Sequence, residues 1–329
     1  MSAPLPPVAE ILETLHVVSL PMSVRFRGVD HREAALFEGP EGWAEFSPFL
    51  EYGPAEAATW LAAAIDFAFE PQPLPHRDRI GVNATVPAVA AEQVPEILAR
   101  YGACRTVKVK VAEVGQTLEE DVARVAAVRE RLGPAGRVRV DANAGWNVDE
   151  AERALHALAE FDLEYAEQPC ATLEELAEVR ARMRDWDIPI AADESVRKAT
   201  DPLAVARAGA ADIVIVKAQP LGGVRRALDI VEQTGLPAVV SSALDTSVGL
   251  GQGARLAAAL PTLDYDCGLG TASLFTGDVA SDPLVPANGE IPVTRVAPDP
   301  ELLARHAASA ERRAWWESRI RACHALLDT

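Results

Sequence analysis

From Ile80 onward the sequence repeats one pattern, a short run of β-branched residues, then turn residues, then an amphipathic stretch. A repeat of roughly 25 residues that alternates strands with helices is typical of parallel strands joined by right-handed crossovers. The predicted strands are 80–85, 106–112, 138–144, 164–168, 188–194, 212–218, 238–243 and 264–268. Eight such units close into a barrel. The alternative, an open dinucleotide-binding sheet, lacks its GxGxxG motif after the first strand.

Helical patterns lie between these strands. The predicted helices are 88–101, 117–132, 147–161, 172–183, 202–209, 222–234 and 247–260. Residues 270–300 are rich in Gly, Pro and Asp and have no helical period, so we expect the eighth helix to be missing or displaced. A last helix is predicted over 300–327, with Trp315 and Trp316 as anchors that dock it.

The first 79 residues do not follow the barrel repeat. Strands over 15–24 and 34–46 and a helix over 54–69 predict a small α+β capping domain, with the catalytic barrel over 80–299. We expect the segment 300–329 to pack back near the capping domain. Residues 23–51 are predicted to be irregular and to form a lid that includes Arg25, Phe26 and Arg27.

Charge and cysteine usage limit the function classes. The net charge is -18, from 49 acidic and 31 basic residues, which disfavours nucleic-acid and membrane binding. The four cysteines form no CxxC or zinc-like spacing, as expected for free thiols in a reducing cytoplasm. The N-terminus does not resemble a signal peptide, and no apolar run approaches a membrane helix. We therefore expect a cytoplasmic protein with a small-molecule substrate and without an obligate protein partner.

Three acidic residues stand at the ends of consecutive predicted strands: Asp141, Glu167 and Asp193. One such residue would most often cap a helix. Three at equivalent positions converge at the carboxyl-terminal face of a barrel, where active sites lie. Carboxylates that lie so close together need a counter-ion to offset their repulsion. A set of ligands that are all oxygen favours Mg²⁺ over zinc. The sequence therefore predicts a divalent-metal site.

Lysines lie on both sides of this predicted site. In the second strand, alternation turns Lys108 and Lys110 into the barrel and the valines toward the helices. Lys217 ends the apolar sixth strand, on the opposite side. Two structural explanations compete with a catalytic one: Lys108 and Lys110 could be solvated on an exposed edge strand, and Lys217 could be a surface lysine just past its strand. Lysines flanking a metal suit abstraction of a proton α to a carboxylate, because the metal stabilises the anion and a desolvated lysine is a competent base.

These residues resemble the muconate-lactonizing-enzyme subgroup of the enolase superfamily. The resemblance rests on the motifs KVK (108–110), DAN (141–143), EQP (167–169), DES (193–195) and VK (216–217), and it covers essentially the whole chain. It implies an α/β fold, a (β/α)₇β TIM-like barrel behind an N-terminal α+β capping domain. It also implies a lysine base acting with Mg²⁺, or with Mn²⁺, as is known for the superfamily.

Within the subgroup the chain is most similar to the o-succinylbenzoate synthase family of menaquinone biosynthesis. The run SSALDTSVGL (241–250) and GLGT (268–271) carry this likeness, whereas Ala218 stands where many relatives have proline. The resemblance implies syn dehydration of 2-succinyl-6-hydroxy-2,4-cyclohexadiene-1-carboxylate to 2-succinylbenzoate, a carbon–oxygen lyase reaction.

The same resemblance assigns roles. Lys110 would be the base and then the acid, Lys217 would stabilise the anion partly by a cation–π contact, and Lys108 would position a carboxylate oxygen and assist Lys110. Substrate-binding residues are Ser241 and Ser242, whose hydroxyls would bond the succinyl tail or else cap a helix, together with Asn143 and Gly268.

Two other interpretations remain open at this point. Opposed lysines also suit an N-succinylamino acid racemase, which deprotonates on one face and reprotonates on the other, and dipeptide epimerases and cycloisomerases share the skeleton. A non-catalytic metal-binding scaffold is more remote, because such a protein would be expected to have lost a lysine or a carboxylate, and every one is present here.

Overall fold

The computed structural model describes residues 5–26, 28–197 and 201–327, with Phe26 described by its backbone alone. The N-terminal part is an antiparallel sheet in the order β1-β2-β3, covered by helices. Its elements are α1 (Val8–Glu13), β1 (His16–Phe26), β2 (Val29–Gly39), β3 (Gly42–Phe46) and α2 (Pro54–Phe69). Proline at the start of α2 suits a helix N-terminus, where its missing N–H has no intrahelical partner to lose.

The prediction of one strand over 34–46 inside an irregular segment 23–51 is wrong. β2 and β3 form a hairpin whose last pair is Gly39 with Gly42. The sequence Gly-Pro-Glu-Gly makes this tight turn, and Gly42 adopts a φ of 116° that disfavours other residues. Most of the predicted lid is therefore regular sheet.

The barrel strands are parallel and hydrogen-bonded in the order β11-β10-β9-β8-β7-β6-β5. After β4 (Arg79–Gly81), their bounds are β5 (Ala84–Val86), β6 (Thr106–Lys110), β7 (Arg137–Asp141), β8 (Leu163–Glu167), β9 (Ile190–Ala192), β10 (Ile213–Val216) and β11 (Ala238–Val240). The eighth strand closes the barrel through a few contacts: Cys267 N–H donates to the Gly81 carbonyl and Gly268 N–H to that of Val240, each at 2.8 Å.

The predicted first strand, 80–85, is divided in two. β4 pairs antiparallel with β12 (Glu290–Pro292), outside the seven-stranded sheet, so that Ile80 lies opposite Ile291. β5 pairs with β6 and puts Thr85 beside Lys108. A sequence rhythm shows a run of β-forming residues but not a change of partner within the run.

The helices between the strands are α3 (Val94–Ala99), α4 (Leu118–Leu132), α5 (Val148–Leu158), α6 (Leu173–Arg182), α7 (Glu194–Arg197), α8 (Ala204–Ala208), α9 (Val224–Thr234) and α10 (Ser247–Ala259). Of these, α4, α5, α6 and α10 begin at a residue whose side chain caps the first turn. Thr117, Asn147 and Thr172 form capping boxes with the glutamates three residues on. Each cap is worth about 1 kcal/mol. The predicted helix 88–101 is shorter, a 3₁₀ turn (Ala91–Gln93) followed by α3.

After the eighth strand, residues 269–299 contain a 3₁₀ turn (Thr271–Leu274) and β12 but no α-helix, as expected. The predicted single helix over 300–327 is two helices, α11 (Pro300–Arg305) and α12 (Ala310–Ala325). The break occurs because this segment pairs with β1: Ser19 N–H donates to the His306 carbonyl at 2.8 Å, and Ala308 N–H to that of Val17 at 2.9 Å.

Trp316 anchors α12 on the capping sheet. Its ring is fully buried edge-on against Phe46, and its Nε1 donates to Glu33 Oε2 at 2.7 Å. Burial of such a ring stabilises the contact by about 2–3 kcal/mol. Trp315, predicted as a second anchor, is 36% exposed and stacks with the guanidinium of Arg312. None of the helices in the described residues is both long enough and apolar enough to span a bilayer.

Candidate active site

The predicted acids and lysines meet at the carboxyl-terminal end of the barrel. Lys110, Asp141 and Glu167 are the last residues of β6, β7 and β8. The register pairs Lys110 with Asp141 and Asp141 with Glu167. Asp193 follows β9 and Lys217 follows β10 by one residue. Parallel pairing therefore brings five residues from consecutive strands to one rim.

Lys108 links two of the carboxylates from within the barrel. Its Nζ donates to Asp141 Oδ2 at 2.8 Å and to the two oxygens of Glu167 at 2.9 and 3.0 Å. Burial alone would lower the pKa of Lys108, but the charges of Asp141 and Glu167 hold it well above its ordinary value. Lys108 is therefore a fixed cation and is unsuited to be a base.

The three acids lie in different charge environments. The pKa of Asp141 is lowered despite burial, because Lys108 and Lys110 lie against it. The pKa of Asp193 is also lowered against the effect of burial, by Lys217 and Arg197.

Glu167 differs from both. Burial and the negative charges of Asp141 and Asp193 raise the pKa of Glu167 to about 7, against the pull of Lys108. A further cation beside Glu167 would oppose this shift and favour the charged carboxylate.

Lys110 and Lys217 line one cleft from different strands, with β7, β8 and β9 between them. Lys110 Nζ donates to Asp141 Oδ2 at 2.5 Å and also to Asn143 Oδ1. Lys217 Nζ donates to Asp193 Oδ2 at 2.6 Å. Burial lowers the pKa of Lys217, and Asp193 opposes that shift. Both ammonium groups are thus held by carboxylates at the base of the cleft.

The four predicted substrate-binding residues, Asn143, Ser241, Ser242 and Gly268, line the same cleft. The two serine hydroxyls already have protein partners. Ser242 Oγ bonds the Gly268 carbonyl at 3.0 Å and Thr271 Oγ1 at 2.8 Å, and Ser241 Oγ donates weakly to the same carbonyl at 3.5 Å. These bonds tie β11 to the eighth strand. Neither serine caps α10, whose N-cap is Thr246.

Arg197 is a cleft residue that the sequence reasoning missed. It lines the cleft from α7, donates to Asp193 Oδ1 at 3.1 Å and to Glu194 Oε1 at 2.6 Å, and reaches Tyr52 Oη of the capping domain at 3.1 Å. Asp193 directly precedes α7 and Arg197 ends it, and this spacing of four residues at a helix start was an available signal.

The capping domain's other contribution to the cleft, Phe49, had no signal in the sequence. Of the predicted lid residues, Arg25 bonds the Gly28 carbonyl at 3.3 Å. Arg27 and the side chain of Phe26 lie outside the described residues. A lid function for this segment stays a prediction.

The donor set fits a hard divalent cation. Asp141, Glu167 and Asp193 offer carboxylate oxygens, and neither histidine nor cysteine lines the cleft in the described part of the chain. Burial and the charge of Asp141 raise the pKa of Glu167, and a cation beside Glu167 would oppose that shift and favour its charged form. Within residues 5–26, 28–197 and 201–327, no three acidic, histidine or cysteine side chains stand together in a geometry that holds a metal. Lysine Nζ atoms contact each of the three carboxylates instead.

Two family models match the chain. Residues 17–68 match the enolase N-terminal domain-like family and residues 89–298 the enolase C-terminal domain-like family. Among solved structures, muconate lactonizing enzyme from Pseudomonas fluorescens complexed with muconolactone aligns with a TM-score of 0.75 and 21% identity, over 90% of this chain and 98% of that one. N-succinyl Arg/Lys racemase from Bacillus cereus aligns with a TM-score of 0.74 and 20% identity, over 90% and 97%. At such identity these structures show the fold, and they confirm the predicted capping domain and barrel architecture.

Curated relatives are far more similar. The o-succinylbenzoate synthase of Mycolicibacterium smegmatis is 59% identical over 328 residues, which cover 99% of this chain and 100% of the relative. That of Mycobacterium marinum is 58% identical over 97% of this chain and 95% of the relative. That of Mycobacterium tuberculosis is 56% identical over 98% and 97%. With this similarity along its whole length, the chain belongs to the enolase superfamily and, within it, to the o-succinylbenzoate synthase family.

Proposed function

We propose that the protein is an o-succinylbenzoate synthase, a hydro-lyase that converts 2-succinyl-6-hydroxy-2,4-cyclohexadiene-1-carboxylate to 2-succinylbenzoate in menaquinone biosynthesis. Identity of 56–59% over nearly the full length of curated synthases supports this assignment. The single structural observation that carries it is the placement of Lys110 and Lys217 in one cleft with the acidic rim. A binding scaffold has no need of these two lysines there, since burial of Lys217 and partial burial of Lys110 each cost desolvation.

Enzymes of the enolase superfamily use a divalent metal ion, generally Mg²⁺. We assign its ligands as Asp141, Glu167 and Asp193, on the donor set and the charge at Glu167; Mn²⁺ has similar ligand preferences. When bound, the ion supplies positive charge beside the substrate carboxylate, where negative charge develops as the α-proton leaves.

Lys110 is the proposed base. It projects from the end of β6 into the cleft, and 15% of its side chain is exposed. In its neutral form its Nζ takes the proton from the carbon α to the carboxylate. It then returns that proton to the departing hydroxide, which leaves as water, if the two groups lie on the same face of the ring. One residue thus serves as base and acid in a syn elimination.

Lys217 acts from the other side as a fixed cation. Asp193, 2.6 Å from its Nζ, favours the charged form although burial lowers the pKa. A charged ammonium at the ring face stabilises the delocalised anion that Lys110 creates, partly by a cation–π contact. Lys108, held by Asp141 and Glu167, adds positive charge close to Lys110 and positions the carboxylate.

Asn143, Ser241, Ser242 and Gly268 are the proposed substrate-binding residues. Their places on the cleft wall support this role. The Ser242 hydroxyl lies 3.0 Å from the Gly268 carbonyl and is fixed there by Thr271. A fixed hydroxyl is a better discriminator of substrate oxygens than a freely rotating one.

One observation favours a second candidate, an N-succinylamino acid racemase. Lys110 and Lys217 enter the cleft from strands separated by three others, so a carbon between them has an ammonium on each face. That arrangement suits removal of a proton from one face and its return to the other.

Incubation with the cyclohexadiene carboxylate and Mg²⁺, beside an N-succinylamino acid in heavy water, tests the assignment. The synthase produces rapid aromatisation that stops when EDTA removes the metal. No aromatisation, together with deuterium at the α-carbon of the amino acid, would overturn the synthase in favour of the racemase.

The proposal also covers organisation and compartment. We divide the chain into a capping domain (1–79), a catalytic barrel (80–299) and a C-terminal segment (300–329). Support comes from the family models, matched over 17–68 and 89–298, and from the contact of Trp316 with Glu33. Cys170, Cys267 and Cys323 are buried free thiols, which suits a reducing cytoplasm.

A further inference from the structure

The wall of the cleft formed by Ala243 and Leu244 is unusual in its backbone. Both residues line the cleft next to the serines that end β11. Leu244 has a φ of 62°, in the left-handed region that leucine rarely adopts. Such a conformation persists where the surrounding structure imposes it. The Leu244 carbonyl accepts a hydrogen bond from the capping domain.

Arg32 of β2 makes the contacts that hold this wall. Its side chain is 3% exposed, its Nε donates to the Leu244 carbonyl at 3.1 Å, and its Nη2 donates to the Ala243 carbonyl at 3.2 Å and to the Ser47 carbonyl. The flat guanidinium lies over the ring of Phe49, 4.4 Å from its centroid. One side chain thus joins two parts of the cleft wall, the barrel segment 243–244 and the capping residue Phe49.

Glu45 of β3 holds the next residues of the same loop. Its Oε2 accepts from the backbone N–H of Thr246 at 3.0 Å and of Gly249 at 3.1 Å, at the start of α10. Glu45 is 1% exposed, and its charge and that of buried Asp245 offset the charge of Arg32. Two residues of the capping sheet therefore hold the loop between β11 and α10: Arg32 binds its carbonyl groups, and Glu45 binds its amide groups.

We propose that Arg32 is a positioning residue of the active site, which holds residues 243–244 and Phe49 in the places where they form the substrate-binding wall. It acts through these groups, because Arg32 is not itself among the residues that line the cleft in the described part of the chain. The inference rests on the proposed function for the identity of the substrate. Its consequence is that the capping domain sets substrate affinity through a barrel loop.

Arg77 provides a matched control. It is a second arginine whose guanidinium bonds backbone carbonyls of the barrel, those of Ala257 at 2.8 Å and Leu260 at 2.9 Å. These carbonyls lie at the far end of α10, away from the cleft. Arg32→Met and Arg77→Met therefore remove the same kind of bond at the two ends of one helix.

The test compares Arg32→Met, Arg32→Lys and Arg77→Met with the natural protein by two measurements. The first is hydrogen exchange of the amides of residues 243–249, followed by mass spectrometry. The second is the separate determination of KM and kcat for dehydration. We expect Arg32→Met to speed exchange in this loop and to raise KM about tenfold or more with kcat changed less than about threefold, the signature of lost binding common to ground and transition states. Arg32→Lys retains one donor group and should fall between Arg32→Met and the natural protein, and Arg77→Met should leave both KM and loop exchange unchanged.

Unchanged exchange in residues 243–249, or faster exchange with an unchanged KM, would overturn the inference. A fall in kcat at constant KM would overturn it too, because Arg32 would then serve the chemical step. If Arg32→Met does not fold, Arg32→Lys carries the same two measurements. If the natural protein does not dehydrate the substrate, the proposed function has failed, whereas the exchange comparison still decides whether Arg32 holds the loop.

Discussion

Lys217 Nζ lies 2.6 Å from Asp193 Oδ2, and both side chains are buried at the base of the cleft. Arg197 contacts the other oxygen of the same carboxylate at 3.1 Å. Asp193 therefore orients two cations that line the cleft, and one of them, Lys217, is the proposed electrostatic partner of the substrate. A carboxylate at this position has two effects. It is a proposed metal ligand, and its charge opposes the lowering of the Lys217 pKa by burial.

Replacement of Lys217 by methionine should separate these effects. The variant keeps the side-chain volume but leaves Asp193 with one cationic neighbour, so we expect dehydration to fall by about 10²–10³-fold. We also expect a loss of about 3 kcal/mol in the free energy of unfolding in EDTA, as for a buried pair that loses one partner. Urea titration and steady-state assays measure the two. Full activity in this variant would contradict the assignment of Lys217.

The proposed metal ligands are tested by metal binding without turnover. Glu167→Gln and Asp193→Asn keep shape and remove charge, and we expect each to weaken Mn²⁺ binding about 100-fold by calorimetry because a neutral amide is a poorer ligand for a hard cation. Glu174→Gln, an exposed acid just after β8, is the control and should bind as the natural protein does. Equal affinity in all three variants would place the metal elsewhere.

The bond between Arg197 Nη1 and Tyr52 Oη joins the acidic rim to the capping domain at 3.1 Å. Tyr52→Phe removes this hydrogen bond and should lower kcat/KM about threefold to tenfold, equivalent to about 1 kcal/mol. Arg197→Met should cost more, because Asp193 and Glu194 lose a cation as well. In the double variant we expect no further loss from Tyr52→Phe, as for residues that act through one contact. Additive losses would show that Tyr52 acts independently.

Stability should depend on pH through Glu45. Burial and the nearby charge of Asp245 raise the pKa of Glu45 from 4.5 to about 7. The folded state therefore binds this proton more tightly than the unfolded state does, and the stabilising effect is complete below pH 4.5 and is lost as pH rises through 7. We expect the free energy of unfolding to fall by on the order of 3 kcal/mol over that pH window. Glu45→Gln should abolish this fall.

The control variant is Glu41→Gln. Glu41 is an exposed acid of the same hairpin, so this variant should keep the natural protein's dependence of unfolding free energy on pH. Urea unfolding at several pH values between 4.5 and 7.5 provides the data. If Glu45→Gln does not change how the free energy of unfolding varies with pH, other groups cause that dependence.

Much of the site was predictable because strand periodicity is local information. Alternation in β6 predicted that Lys108 and Lys110 share a face, and both contact Asp141. The predicted starts of the helices after β6, β7 and β8, at residues 117, 147 and 172, are the residues that form capping boxes. Each of these inferences uses residues no more than a few positions apart.

What the sequence did not predict depends on contacts between distant segments. Arg32 and Leu244 are separated by 212 positions, and Arg197 and Tyr52 by 145. Neither pair has a local pattern. The exchange of partners that divides β4 from β5, and the pairing of the chain near His306 with β1, likewise follow from tertiary packing rather than from propensity.

The most direct test of the account is the dehydration rate of Lys110→Ala and Lys110→Arg beside the natural protein, followed by the absorbance of the aromatic product with saturating Mg²⁺. Removal of a residue that is both base and acid should lower kcat at least about 10⁴-fold in either variant, because arginine stays protonated and cannot accept the proton. Far-UV circular dichroism and Mn²⁺ affinity should be unchanged. A Lys110→Ala variant that retained activity within about tenfold of the natural protein would contradict the mechanism, since proton removal would then depend on another group.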